Sequence, residues 1–134
     1  MSEAMDYNPM FGLMESAEEG TEAQAGIPLK PGSPAAAKEA VENQLRTIFD
    51  PEIPVNIFDL GLIYNIVCYD GGNVDILMTL TAPACPVAGS MPGQVARTVA
   101  MANQVGEVKV TLTWTPSWTS DMMSEDAKLA MDFF

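Results

Sequence analysis

One cysteine stands where a strand pattern gives way to a helix pattern: Cys85, in TLTAPACPVAG at residues 79–89. Pro86 suits the first helical position, where its missing N–H costs nothing. A thiolate at a helix N-terminus is stabilised by free amides and the helix dipole, which lowers its pKa below the ordinary value of about 8.5. Such a group can attack an electrophile or ligate a soft metal. No lysine or arginine adjoins it, and Arg97 lies three turns on with its side chain directed back toward the N-terminus. The same residues also fit a plainer reading, in which Ala84-Cys85-Pro86 packs a tight turn with a small apolar side chain. Taken alone, they leave both readings open.

The remaining chemistry is narrow. The chain has no histidine and only two cysteines. Histidine-based triads and histidine zinc sites are therefore excluded. Cys68 alternates with Ile66 on an apolar strand face and reads as a buried hydrophobe. One thiol cannot by itself hold zinc or an iron–sulfur cluster, so any cluster bound at Cys85 would be shared with a second chain, carboxylates or external thiols. CxxC, P-loop and GxGxxG motifs are absent. A thiol enzyme would need its base from Tyr64, Asp59 or Glu52, and none is persuasive. The other unusual stretch is WTPSWTSDMMSED, 114–126, where two tryptophans and two methionines crowd a turn-rich segment. It can be a lid of apolar side chains over a sheet end, or a partner-binding rim with Asp121 contributing a carboxylate.

These residues need elements to position them. Residues 35–49 carry Val41, Leu45 and Ile48 at helical spacing, with Ala37 before them, after Ser33-Pro34 as N-cap and first turn and before the stop at Asp50-Pro51. DPEIPVNIFDLGL, 50–62, has too many prolines for a long regular element and is too apolar for a solvated loop. It reads as a crossing segment with Asp59 as local cap. Strands at 62–69 and 74–81 flank Asp70-Gly71-Gly72-Asn73, a turn suited to positive φ. A second helix begins either at Pro86 or near Ser90, with Pro92 in its first turn, and ends by Gly106. A third strand, 107–114, places Val108, Val110, Leu112 and Trp114 inward, and Ser124 caps a short final helix.

Strand–helix–strand from 74 to 114 implies a crossover and a parallel pair. The fold expected is α+β, a small mixed three-stranded sheet with helices packed on one face. The strand ends at Thr81 and Trp114 then share one rim with Cys85 and the Trp118–Asp121 loop, the usual place for a site. Residues 1–34 read as an acidic, disordered tail and 35–134 as the domain. The net charge of −12 argues against nucleic acid. No run is long enough to span a membrane, and the acidic N-terminus is unlike a signal peptide, so the expected location is cytoplasmic.

DPEIPVNIFDLGLIYNI, MTLTAPACP and WTPSWTSDMMSEDAKL together resemble the small iron–sulfur assembly domain of SufT-type bacterial proteins and of a eukaryotic cytosolic assembly component. The resemblance spans about 38–130. It implies an accessory factor, not an enzyme, that helps mature iron–sulfur client proteins. Scaffold or carrier proteins and client apoproteins would be its partners, a homodimer is also compatible, and no cofactor would be tightly held beyond a transient iron–sulfur cluster shared between chains. The motif cysteine falls on Cys85. Glu52, Asp59, Thr81, Trp118, Thr119, Asp121 and Met122 fall on a partner or site rim. Ala84 stands where glycine is usual, Thr115 where an acid is common and Ser120 where a proline is usual. A related branch assists a multicomponent oxygenase of phenylacetate breakdown, so an adaptor for one such enzyme is the alternative; the full Trp-Thr loop favours the SufT-type branch.

Overall fold

The computed structural model describes residues 19–50, 53–81 and 91–131. In chain order these form β1 (Glu22–Ala25), α1 (Lys38–Leu45), the one-turn α2 (Ile57–Leu60), β2 (Ile63–Cys68), β3 (Val74–Met78), α3 (Met91–Ala100), β4 (Val108–Leu112), a 3-10 turn (Ser120–Met122) and α4 (Glu125–Met131). The sheet order is β1-β4-β3-β2.

Alternation decides which side chains enter the core. Val74, Ile76, Met78 and Leu80 are buried, as are Val108, Val110 and Leu112 on the neighbouring strand. β3 and β4 pair in parallel, Val74 opposite Val108 and Met78 opposite Leu112, so the chain between them makes the expected crossover. β2 pairs antiparallel with β3, with a register irregularity between Ile63 and Asn65. Gly71 and Gly72 both take positive φ in the connecting turn, and a Cβ on Gly72 would meet the Leu29 side chain and the Gln104 carbonyl. The α+β class and the mixed sheet stand as read.

The strand count does not. A fourth strand, β1, comes from the segment expected to be tail. It pairs antiparallel with β4, Glu22 opposite Thr111 and Ala25 opposite Val108. Ala23 and Ala25 pack against the core while Glu22 and Gln24 face away. EAQA has neither β-branched nor aromatic residues, so propensity gives no warning. What holds it is the open edge of β4, whose unpaired backbone groups it satisfies.

The first helix is also shorter than its apolar spacing suggests. Ser33 does not cap it: its hydroxyl donates to Lys30 O at 2.7 Å and its carbonyl accepts from Gly71 N at 2.7 Å, so the chain is still turning there. Ala37 takes the N-cap position without a side-chain bond and is exposed, and Ala36 is the buried alanine. Past Leu45 the chain leaves helical geometry, yet Ile48 remains buried. α3 holds Pro92 as its second described residue and buries Met91, Val95, Ala96 and Val99, while both expected starts, Pro86 and Ser90, lie outside the described residues. Gln44 Nε2 donates to Thr98 O at 2.8 Å and ties α1 to α3. α4 is capped by Ser124, whose Oγ accepts from Ala127 N at 3.1 Å.

Candidate functional site

Every helix leaves its last carbonyls without intrahelical partners, and a one-turn helix consists of little else. In α2 all four are satisfied. Gly61 N donates to Phe58 O and Leu62 N to Ile57 O, both at 3.1 Å, the paired bonds of a left-handed glycine cap. The other two donors come from the far loop: Ser124 N reaches Asp59 O at 2.8 Å, and Trp118 Nε1 reaches Leu60 O at 2.7 Å. At the opposite end Asn56 caps the helix, its Oδ1 accepting from Asp59 N and its Nδ2 donating to the Asp59 carboxylate, each at 2.8 Å. FDLG and the Trp-Met loop are thus two halves of one joint.

Tyr64 closes that joint from the sheet. Its hydroxyl donates to Pro116 O at 2.6 Å, with Met122 Sδ at 3.6 Å. Burial raises its phenol above the ordinary value, and the Thr79 hydroxyl offsets part of that. Thr79 Oγ1 is fully buried; the Tyr64 hydroxyl is the polar group that feels it, although no hydrogen bond of good geometry forms to it among the described residues.

Beyond the joint, where parallel β3 and β4 leave the sheet, Leu80, Thr81, Trp114, Ser117 and Trp118 line an open cleft of about 230 Å³. Thr81 Oγ1 points to Asp50 Oδ2 at 3.4 Å, long for a hydroxyl–carboxylate bond. The buried Asp50 also accepts from Ile53 N at 2.9 Å. Just past β4, Glu19 holds the chain: its carboxylate accepts from Trp114 N at 2.7 Å and from Thr113 Oγ1 at 2.9 and 3.2 Å.

Of the site residues expected from sequence, the cleft gathers Thr81 and Trp118. Asp59 is turned elsewhere, lining a separate shallow pocket with Phe49, Pro54 and Asp126. Met122 packs on Gly61 and Tyr64. Thr119 and Asp121 are exposed on the 3-10 turn, where Thr119 O accepts from Met122 N. Cys85 and Glu52 lie outside the described residues. Glu19, Leu80 and Ser117 were not anticipated; a glutamate in an acidic tail carries no sequence signal that would single it out. Cys68 sits at the end of β2 paired with Val74, the opposite end of the hairpin from Thr81. Burial pushes its thiol up, with Lys38 offsetting in part. Among the described residues no group of three or more Cys, Asp or Glu side chains is placed to hold a metal ion.

A family model described as iron–sulfur cluster assembly protein matches residues 38–112. The chain belongs to this family. It is 48% identical over 96 residues, 72% of this chain and 91% of the relative, to a protein of Porphyromonas gingivalis named Fe-S protein maturation auxiliary factor. It is 37% identical, over 63% of this chain and 96% of the relative, to the Staphylococcus aureus protein named Fe-S protein maturation auxiliary factor SufT. A crystal structure of a domain of unknown function from Bacillus anthracis superposes with a TM-score of 0.67 at 33% identity, covering 72% of this chain and 92% of that one. The family match contains Asp59, Gly61 and Thr81 but ends before the Trp-Met loop, so half of the joint lies beyond it.

The joint makes Trp118 structural as well as cleft-lining. Trp118→Phe keeps the ring and loses the donor to Leu60 O. Leaving that carbonyl unpaired should cost about 1–3 kcal/mol. Urea unfolding followed by circular dichroism should show this loss; an unchanged midpoint would mean that water replaces the indole N–H.

Proposed function

We propose that the chain is a non-enzymatic accessory factor in the maturation of iron–sulfur proteins, working in the cytoplasm with scaffold or carrier proteins and client apoproteins. It takes iron or a cluster as cargo through the Cys85 thiol, at an interface with a second chain. The observation that carries this reading is the rim. The C-terminal ends of a parallel strand pair open a cleft walled by two tryptophans, and Cys85 is tethered four residues beyond Thr81, within roughly 14 Å of it by chain length. Family membership gives the class of process. A single thiol supplies one ligand, so the coordination sphere is completed from outside the chain. Nothing in this scheme requires a general base: the thiolate binds and releases cargo without cleaving a covalent bond in a substrate.

Anaerobic reconstitution with iron and sulfide tests it, using wild type, Cys85→Ser and Cys68→Ser. Visible absorption, iron and sulfide content and the mass of the assembled species are read together. Wild type and Cys68→Ser should acquire the chromophore and bind iron as an assembly larger than one chain. Cys85→Ser should bind at least about 10-fold less, as expected when a metal-site partner is removed. Equal iron in wild type and Cys85→Ser, with both folded, would remove Cys85 from the cargo site.

A further inference from the structure

We infer that the outer edge of β2 pairs antiparallel with the same edge of a second copy of this chain, about a two-fold axis at Val67. β2 is the last strand in the sheet order, so one side of its backbone has no neighbouring strand among the described residues. Tyr69 N donates to Asn73 O at 2.9 Å, and antiparallel bonding alternates from there. Val67 and Asn65 therefore turn their backbone groups toward β3, and Ile66 and Cys68 turn theirs outward. The ladder is regular from Asn65 to Cys68, past the irregularity that follows Ile63.

The two edges of the sheet are guarded differently. β1 is four residues long and carries Glu22. Shortness and charge are what keep an edge from pairing with another chain. β2 has six residues, and no charged residue lies between Leu62 and Tyr69 in a chain of net charge −12. An edge of that composition is a template for a further strand.

Charge selects a second copy as that strand. Lys38 and Glu42 of α1, with Phe58, line a groove of about 190 Å³ along residues 63–66. Lys38 sits toward the Cys68 end, where its charge acts on that thiol, and Glu42 follows one turn along the helix. Among the described residues the ion pair is Lys128–Glu125, so Lys38 and Glu42 are not neutralised by each other. A two-fold axis at Val67 reverses their order in the second copy. Lys38 then approaches Glu42 of the partner subunit, and Glu42 approaches the partner's Lys38. Ile66 exchanges both backbone bonds with the partner's Cys68, and Val67 faces the partner's Val67 as a β-branched cross-strand pair.

So short a ladder makes a weak dimer whose population follows concentration. Ile63 opens β2 opposite Met78, so Thr81 lies at the same end of the hairpin. The axis therefore sets the two rims at opposite ends of the joined sheet and leaves each to meet another protein. The inference uses neither Cys85 nor any cargo, so it can fail while the proposed function stands.

Sedimentation equilibrium of the full chain, in reductant and over a series of concentrations, reads the association. Wild type should pass from monomer toward dimer as concentration rises. Val67→Lys sets like charges directly opposite each other and should stay monomeric, with circular dichroism reporting that it folds. Lys38→Glu and Glu42→Lys should each raise the dissociation constant by about 10-fold. The double variant restores opposite charges across the axis and should return close to the wild-type value. These surface reversals keep the test open if Val67→Lys does not fold. In a Cys68→Ser, Cys85→Ser background, Val67→Cys should give a disulfide-linked dimer on mild oxidation, because directly opposed residues of this kind have Cα atoms about 4.5 Å apart. A wild-type chain that is monomeric throughout would overturn the inference, whether the edge is solvated or covered by another part of the chain. A dimer that survives Val67→Lys and both single reversals would overturn it too, by placing the contact on another face. Failure of the double reversal to recover association would remove the axis at Val67, and the inference with it.

Discussion

Gly61→Ala lowers stability by about 2–4 kcal/mol, the sum expected for a left-handed backbone forced on a residue with a Cβ and for a clash in a packed place. Gly61 has φ +88°, and a Cβ there would run into the Met122 backbone, with the carbonyl carbon at 2.8 Å and the Met122 Cβ at 2.9 Å. Neither side can give way cheaply. Gly61 is fixed by the two bonds that finish α2, and Met122 by its bond to Thr119 O and its contact with Tyr64. The variant should therefore open the joint and not merely strain one turn: Trp118 loses its grip on Leu60 O and the cleft loses a wall. Chemical unfolding gives the stability, and the position of the tryptophan emission maximum in native buffer gives the joint. A loss under 1 kcal/mol with unchanged emission would show that the loop does not rest on Gly61 as described.

Much of this architecture was legible because it depends on periodicity. The hairpin follows from alternation on both sides of Asp-Gly-Gly-Asn, and the parallel pair from a helix pattern set between two strand patterns. Knowing that strands ending at Thr81 and Trp114 are parallel is enough to put Thr81 and the Trp118 loop on one rim, and the cleft contains both. What periodicity cannot reveal is which turn polar groups satisfy which backbone. Asp59 reads as a rim carboxylate or as a cap, whereas in the structure Asn56 is the cap and Asp59 sits inside the turn as its reciprocal partner. Ser33-Pro34 has the right chemistry for a helix start, yet a turn bond to Lys30 O and pairing with Gly71 use it otherwise. β1 illustrates the same limit at the level of an element. Its residues are strand-neutral, and it forms because a long-range edge is waiting for it.

That dependence on an edge makes Gly26→Ala the sharper experiment. Gly26 follows β1 at φ +89°, and a Cβ there would collide with the Gly106 carbonyl oxygen and crowd Ala100 Cβ at 3.2 Å. The strain and the collision together ask for about 2–5 kcal/mol. A four-residue ladder offers little to hold against this, since each backbone bond is worth about 1 kcal/mol net. The chain has a less costly outlet than global unfolding, which is to release residues 19–26 from β4. The family match runs from residue 38 to residue 112 and does not include β1, so the remaining three strands with α1, α2 and α3 form the shared unit. Amide hydrogen exchange separates the outcomes. Gly20, which donates to Leu112 O, and Leu112, which donates to Thr21 O, should lose protection, while Thr113, which donates to Met78 O, should keep it. Uniform loss of protection across β3 and β4 would instead make β1 part of the cooperative core.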